Sequence, residues 1–111
     1  MRSLGPEHPE TLVSRSNLAC GLYDDGKYAE AEAEHRAVLA LRHRLLGPEH
    51  PDTLYSRHRL AESLHARRKR AEAESECQEV LLLREKVLGA KHPDTVVTRK
   101  LLQSIRRGGK R

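Results

Sequence analysis

Seven histidines and two cysteines are the residues of this sequence best suited to bind a metal ion. His8, His50 and His92 recur every 42 residues, a spacing that puts them in separate units, about 10 Å apart if the units are packed helices. Zinc needs its ligands about 2.0–2.1 Å from one ion. His58 and His65 are two helical turns apart, again about 10 Å. We therefore expect no metal site and a structural role for the recurring histidines.

The two cysteines, Cys20 and Cys77, have neither CxxC spacing nor the density of a disulfide scaffold. This pattern predicts free thiols in a reducing compartment. The sequence has no apolar run of about 18 residues and no basic-then-apolar leader. We expect a cytoplasmic protein without a membrane span.

Catalytic motifs are also missing from the sequence, which lacks GxSxG, GxxxxGK[ST] and HExxH. The acidic pairs Glu30/Glu32 and Glu72/Glu74 are two positions apart, so on a helix their members face different directions. We expect these carboxylates to be solvated rather than to act as an acid–base pair. The sequence predicts neither enzymatic activity nor a cofactor.

Composition favours helices packed closely together. The chain has 111 residues with no Trp, no Phe and three Tyr, so Leu, Ala and Val must fill the interior. Leu, Ala, Arg, Glu and Lys are abundant and have high helix propensity. An all-α fold is predicted.

The sequence repeats with a period of 42 residues. Residues 4–45 and 46–87 share 23 identities, and a third copy begins at Leu88. Each copy opens with a glycine that can end a helix, followed by a proline suited to the first turn of the next one. Asp24-Asp25-Gly26 interrupts the first copy. The predicted helices cover residues 9–24, 28–46, 51–66, 70–88 and 93–107.

The segment SNLACGLYDDGKYAEAEAEHRAVLALR, from Ser16 to Arg42, resembles a tetratricopeptide repeat (TPR). The LGPEHPDTL linker and the 42-residue period resemble the kinesin light chain type. The resemblance implies one domain over residues 1–111, a right-handed superhelical array of helix-turn-helix hairpins. Its parts are repeat 1 at about 9–46, repeat 2 at about 51–88, a capping half repeat at about 93–107 and a basic tail at 108–111.

The resemblance also identifies packing positions and two departures from the repeat pattern. Leu18, Ala19 and Leu22 match packing positions of the first helix. Arg68 and Arg70 stand where repeat 1 has its turn glycine and its tyrosine. We expect the turn of repeat 2 to be looser for that reason. Cys77, which aligns with His35, is expected to be a buried, unreactive thiol.

The function implied by the resemblance is binding of a protein or peptide partner on the concave face, which first helices line. Asn17 is suited to bind a peptide backbone and Arg59 a carboxylate. Arg15, Arg57 and Arg99 recur in register and either pair with carboxylates between layers or contact the ligand. The predicted binding residues are Val13, Asn17, Cys20, Tyr23, Tyr55, Arg59, Glu62, His65, Val97 and Leu101.

An alternative function is binding of nucleic acid or another polyanion. The net charge is +5, with basic clusters at residues 67–70 and 106–111. Neither cluster contains an aromatic side chain on which a base could stack. This absence favours the protein-binding interpretation.

A homodimer through the N-terminal end of the array is a further expectation. The helix that begins near Pro9 has no preceding unit in this sequence, so Leu4, Leu12 and Val13 are predicted to form an apolar patch. The alternative is a monomer, because scattered surface leucines are common.

Overall fold

Five α-helices form the part of the chain that the computed structural model describes, which is Gly5 and residues 7–108. No strand occurs in that part. All five predicted helices are confirmed, and only the last ends one residue later than expected. The helices are α1 (Pro9–Asp24), α2 (Tyr28–Leu46), α3 (Pro51–Ala66), α4 (Arg70–Leu88) and α5 (Pro93–Gly108).

The recurring histidines cap the first helix of each unit. The Nδ1 atoms of His8, His50 and His92 accept hydrogen bonds of 3.0–3.1 Å from the backbone N–H two residues later. Such a bond satisfies one of the free N–H groups of a helix start. The proline that follows each histidine lacks an N–H and loses nothing in the first turn. The structural role expected for these histidines is the N-cap.

The turn of repeat 2 keeps the conformation of the turn of repeat 1. Arg68 has φ 63°, close to the φ 81° of Gly26, and Lys27 and Lys69 share φ −88° and ψ 67°. Each turn is closed by a backbone hydrogen bond of 3.0 Å, donated by Gly26 N–H in repeat 1 and by Arg68 N–H in repeat 2. The expectation of a looser turn is therefore wrong. Arg68 instead bears a strain of about 1–2 kcal/mol, the usual difference between left- and right-handed backbone for a residue with a Cβ.

The helices form a curved array of 54 × 31 × 20 Å. Each helix packs against the next along the chain, and α3 also contacts both α1 and α5. The second helices α2 and α4 lie further apart and are joined by an exposed ion pair, in which Arg36 lies 3.3 Å from Glu72. Because the first helices contact one another along the array whereas the second helices lie further apart, α1, α3 and α5 lie on the concave side.

Small side chains allow the helices to approach closely. Ala19 and Ala31 in repeat 1, and Ala61 and Ala73 in repeat 2, are fully buried. The main cluster joins α3 and α4 to α5 through the buried residues Leu60, Ala61, Leu64, Ala73, Cys77, Leu102 and Ile105. Burial raises the pKa of the Cys77 thiol to about 12, so Cys77 is the buried, unreactive thiol that the sequence predicts.

Leu18 does not pack as predicted. Its exposed fraction is 57%, whereas Leu60, the same residue at the same repeat position, is 1% exposed. Leu39 of α2 packs against the cluster that contains Leu60. Among the described residues no helix lies on the corresponding flank of α1. Equivalent positions therefore differ in burial because their neighbours differ.

Two buried arginines that the sequence analysis did not identify join each repeat to the next. Arg42 of α2 donates to Asp52 O at 3.4 Å and to Ser56 Oγ at 3.0 Å. Arg84, one period later, donates to Asp94 O at 2.9 Å and to Thr98 Oγ1 at 2.8 Å. Both guanidinium groups hold the start of the following first helix.

The arginines that recur in register at 15, 57 and 99 do pair with carboxylates. Arg15 lies 2.8 Å from Glu34 and Arg57 lies 2.9 Å from Glu76. These pairs connect the two helices of one hairpin rather than neighbouring layers. Arg99, in α5, lies 3.2 Å from Glu85 of α4. These three ion pairs are structural, although those of Arg15 and Arg57 lie within one repeat rather than between repeats.

The apolar patch predicted for self-association is wrong at one residue. Leu12 is 3% exposed and therefore buried, like its equivalent Leu54 in repeat 2. Val13 is exposed, and Leu4 lies outside the described residues. On the outer flank of α1 the exposed leucine is Leu18.

Self-association stays a prediction. Because Leu18 is exposed and Leu12 is buried, the substitution that tests it is made at Leu18. At about 100 μM, where a contact of about −5 to −6 kcal/mol becomes visible, we expect sedimentation equilibrium to give a mass above that of the 12.6 kDa monomer. Leu18→Glu should restore the monomer, because it places a charge in the contact. Val97→Glu, at an equally exposed site on α5, is the control. A monomeric wild-type chain would contradict the prediction.

Candidate binding face

All three aromatic side chains of the chain lie together on one surface. The rings of Tyr23 and Tyr28 meet edge to face with centroids 5.1 Å apart. The Arg59 guanidinium lies 5.5 Å from the centre of the Tyr23 ring. Tyr55 Oη is 3.6 Å from Cys20 Sγ. We call these five residues the tyrosine cluster.

Three helices and one turn position the tyrosine cluster. Tyr23 lies in the last turn of α1 and Tyr28 is the first residue of α2, so the short turn between the helices brings the two rings together. Tyr55 and Arg59 are four residues apart on α3 and therefore share one face. That face of α3 meets α1 where Cys20 and Tyr23 lie. The cluster thus occupies the concave junction of the two repeats.

The cluster is only partly covered. Tyr55 is 39% exposed and Tyr28 is 36% exposed, while Tyr23 is half-buried. Burial and the neighbouring Cys20 side chain raise the pKa of Tyr55. Burial and the charge of Glu62 raise the pKa of Tyr23. Both phenols are therefore neutral hydroxyls near neutral pH and remain able to donate hydrogen bonds.

Glu62 balances the charge of Arg59. Arg59 Nη1 lies 2.8 Å from Glu62 Oε1, and His58 Nε2 lies 3.6 Å from Glu62 Oε2. Burial alone would raise the pKa of Glu62, but the neighbouring His58 side chain and the Arg59 charge outweigh it and lower that pKa. A partner carboxylate at Arg59 would have to compete with this internal carboxylate.

His58 extends the polar network toward α5. Its Nδ1 lies 3.2 Å from Thr98 Oγ1, which also accepts a hydrogen bond from Arg84 at 2.8 Å. The network therefore runs from the concave face to the buried arginine link of repeat 2.

The structure brings together half of the predicted binding residues. Cys20, Tyr23, Tyr55, Arg59 and Glu62 are connected by the contacts above. Val13, Asn17 and Val97 are exposed on first helices, but no described contact joins them to the cluster. Leu101 packs partly against the core, and His65 lines a separate cavity at the α3–α4 turn.

The repeat pattern assigns Tyr28 to the turn and therefore does not predict its place in the tyrosine cluster. The available signal was composition. A chain with three tyrosines and no other aromatic residue that builds its core from Leu, Ala and Val has no need of tyrosine in that core.

Two residues of the basic cluster at residues 67–70 pair with the same carboxylate. Arg67 lies 2.7 Å and Lys69 3.4 Å from Glu32, which Arg36 also contacts at 2.9 Å. Burial alone would raise the pKa of Glu32, but hydrogen bonds from Arg67 and Arg36 outweigh it and lower that pKa. Glu32 is buried, so the expectation that it is solvated is wrong.

The second basic cluster is also partly engaged. Arg106 Nε donates to Glu74 at 2.9 Å, and Arg107 is exposed at the end of α5. Residues 109–111 of the basic tail lie outside the described residues. The polyanion alternative therefore has fewer free cations than the sequence suggests.

Neither a metal site nor a membrane-spanning helix is present among the described residues. Within Gly5 and residues 7–108, no three His, Cys, Asp or Glu side chains are placed to hold a metal ion together. In the same part of the chain, none of the helices has the length and apolar character needed to cross a bilayer.

Two consecutive segments, residues 11–52 and 53–94, match the family model of the tetratricopeptide repeat. The chain belongs to the tetratricopeptide repeat family. The two matched segments are one period each, and together with the five observed helices they confirm the all-α, superhelical hairpin array. TPR domains are general protein-interaction modules and are typically scaffolds without enzymatic activity.

Two crystal structures are similar to this TPR chain along almost its whole length. Both are of a Podosopora anserina protein described as a kinesin light chain with nearly identical TPR-like repeats, one of them a point variant. Each is 30% identical and covers 97% of this chain, with TM-scores of 0.80 and 0.78. The TPR chain spans 51% and 52% of their lengths. No curated protein matches the sequence.

Proposed function

We propose that the TPR chain binds an extended peptide segment of a partner protein on its concave face, with the tyrosine cluster at the centre. The observation that carries this proposal is the placement of every aromatic residue outside the core, around Arg59. Tyrosine and arginine are enriched among the residues that dominate protein interfaces. A tyrosine also loses little conformational entropy on binding for the area it covers.

The surrounding side chains suit a peptide backbone. The neutral hydroxyls of Tyr23 and Tyr55 can donate to carbonyl groups, and the exposed amide of Asn17 can both donate and accept. Val13 and Val97 are exposed on the outer two of the three first helices, where they offer apolar contact at either end of the groove.

Charge contributes little to this mode of binding. Because Glu62 already pairs with Arg59, the centre of the face is close to neutral. Contacts to the tyrosine rings and hydrogen bonds should therefore supply most of the affinity. The affinity should change little between low and physiological salt, unlike binding to a polyanion.

Random peptides displayed on phage and selected on the purified TPR chain provide a probe for this face. For the selected peptide we expect Asn17→Ala together with Tyr55→Ala to weaken binding about 30-fold or more, as loss of a dominant interface residue does. Fluorescence anisotropy measures the affinity, and circular dichroism checks that helix content is unchanged. Arg59→Ala is unsuitable because it would leave Glu62 without its partner.

Leu82→Ala is the matched control, because Leu82 is exposed on α4, a second helix outside the concave side. It should leave the affinity within about twofold, since most interface-distant residues contribute little. Equal affinity of the double variant and the wild-type chain would refute the proposed face.

A further inference from the structure

The α3–α4 turn carries two arginines where repeat 1 has uncharged residues. Arg68 replaces Gly26 and Arg70 replaces Tyr28. Arg68 adopts a φ of 63°, a conformation that disfavours side chains with a Cβ. Its own side chain is exposed and makes no hydrogen bond or ion pair with any described residue. A residue whose strained backbone is not offset by side-chain contacts within the protein is typical of functional positions.

The four basic residues of this turn divide into two pairs by direction. Arg67 and Lys69 face α2 and pair with Glu32. The other pair lies beside a cavity of about 640 Å³, whose lining is His65, Ala66, Arg68, Arg70, Ile105 and Gly108. The cavity is therefore built between the α3–α4 turn and the last turn of α5.

Positive charge exceeds negative charge around this cavity. Arg70 Nε donates to Ile105 O at 3.3 Å, and its guanidinium lies 3.9 Å from Glu74. Glu74 also accepts a hydrogen bond from Arg106 at 2.9 Å. One carboxylate shared by two arginines leaves net positive charge, to which Arg68 adds a cation without a described partner.

We propose that this cavity binds a carboxylate side chain of an acidic peptide segment, with Arg68 and Arg70 as the binding residues. Guanidinium groups match the planar carboxylate with paired hydrogen bonds. No tyrosine lines the cavity, and the imidazole of His65 is the one ring in the lining on which a nucleobase could stack, which favours a carboxylate over a nucleic acid. The site lies beside the α3–α4 turn, none of its lining residues belongs to the tyrosine cluster, and the proposal does not depend on the concave face.

Repeat 1 supplies the variant that tests this site. Arg68→Gly with Arg70→Tyr installs the residues of the first turn, and Gly26 shows that this backbone accepts glycine. The probe is fluorescein-labelled hexaglutamate, measured by anisotropy at about 50 mM salt, where charge contacts are weakly screened. We expect the variant to bind about tenfold more weakly, as expected for loss of charge-assisted hydrogen bonds.

The control variant Lys91→Gln with Lys100→Gln removes the same charge from exposed positions elsewhere. It should bind hexaglutamate within about twofold of the wild-type chain, because distant surface charges contribute little. Tyr55→Ala should also have no effect, which separates this site from the concave face. Hexaglutamine is the neutral probe and should not bind.

Several outcomes would overturn the proposal. These are no hexaglutamate binding at about 1 mM peptide, equal weakening in both charge variants, or an unchanged affinity after Arg68→Gly with Arg70→Tyr. Tighter binding of single-stranded oligothymidine than of hexaglutamate would assign the cavity to nucleic acid instead.

Discussion

Leu60→Ala is expected to lower the free energy of unfolding by about 2–5 kcal/mol, the range for removing a buried leucine side chain. Leu18→Ala, the same change at the same repeat position, should lower it by less than about 1 kcal/mol, as exposed substitutions do. The difference follows from burial, because Leu60 is 1% and Leu18 57% exposed. Urea unfolding followed by circular dichroism at 222 nm, the usual helix signal, measures both values.

Low protein concentration is the necessary control for this comparison. If two copies cover the flank of α1, Leu18→Ala becomes more costly as the concentration rises, because association stabilises the folded state by mass action. Equal losses for the two variants in dilute solution would contradict the assignment of Leu18 to an uncovered flank.

Acid should destabilise the TPR chain through His35. This side chain is 1% exposed, and neither ring nitrogen has a hydrogen-bond partner among the described residues. Burial lowers the pKa of His35 from 6.5 to about 4, assisted by the charges of Arg59 and Arg42, while Glu62 and Glu34 oppose the change. The folded protein therefore keeps His35 neutral where the unfolded chain protonates it.

The sign of the pH effect follows from these pKa values. Between pH 6.5 and about 4 the unfolded state binds more protons, so stability decreases as the pH falls and is fully present above pH 6.5. The expected loss is about 2–3 kcal/mol across this window. Urea midpoints measured at intervals from pH 7.5 to pH 4 would record the loss.

His35→Cys is the matched variant, because Cys77 occupies the same position in repeat 2 and is fully buried there. The variant should keep a nearly constant stability between pH 6.5 and 5. The lowered pKa values of Glu32 and Glu62 produce a further loss near and below pH 4.5 in both proteins. A parallel decrease in the two proteins above pH 5 would show that His35 is not the responsible group.

Local signals account for what the sequence predicted well. Helix boundaries depend on glycine, proline and capping residues within a few positions, so all five helices were predicted to within one residue. The turn at Arg68 is an exception in which packing overrides local preference. Leu64 near the end of α3 and Ala73 near the start of α4 are buried in the core. Because this packing fixes both sides of the turn, Arg68 adopts the left-handed conformation that Gly26 adopts without strain.

Contacts between residues distant in the sequence were not predictable in the same way. The local sequence around Glu32 is typical of a solvated helix residue. Its burial depends on Arg67, which is 35 positions later in the sequence and pairs with it. The repeat pattern also predicted equal burial for equivalent positions. This was wrong for Leu18 and Leu60, which have the same type and repeat position but different neighbours. For the proposed binding face, the resemblance to the repeat family predicted residues of α1 and α3 but not the pairing of Arg59 with Glu62 and Tyr23.

The two buried arginine links also determine how the array responds to force. Arg42 holds the start of α3 and Arg84 holds the start of α5, and Thr53 Oγ1 donates back to Arg42 O at 3.2 Å. Because these links lie in series along the chain, tension applied to its two ends passes through both. Each link must lose its hydrogen bonds before its junction can open, so these bonds oppose hinge bending between the repeats.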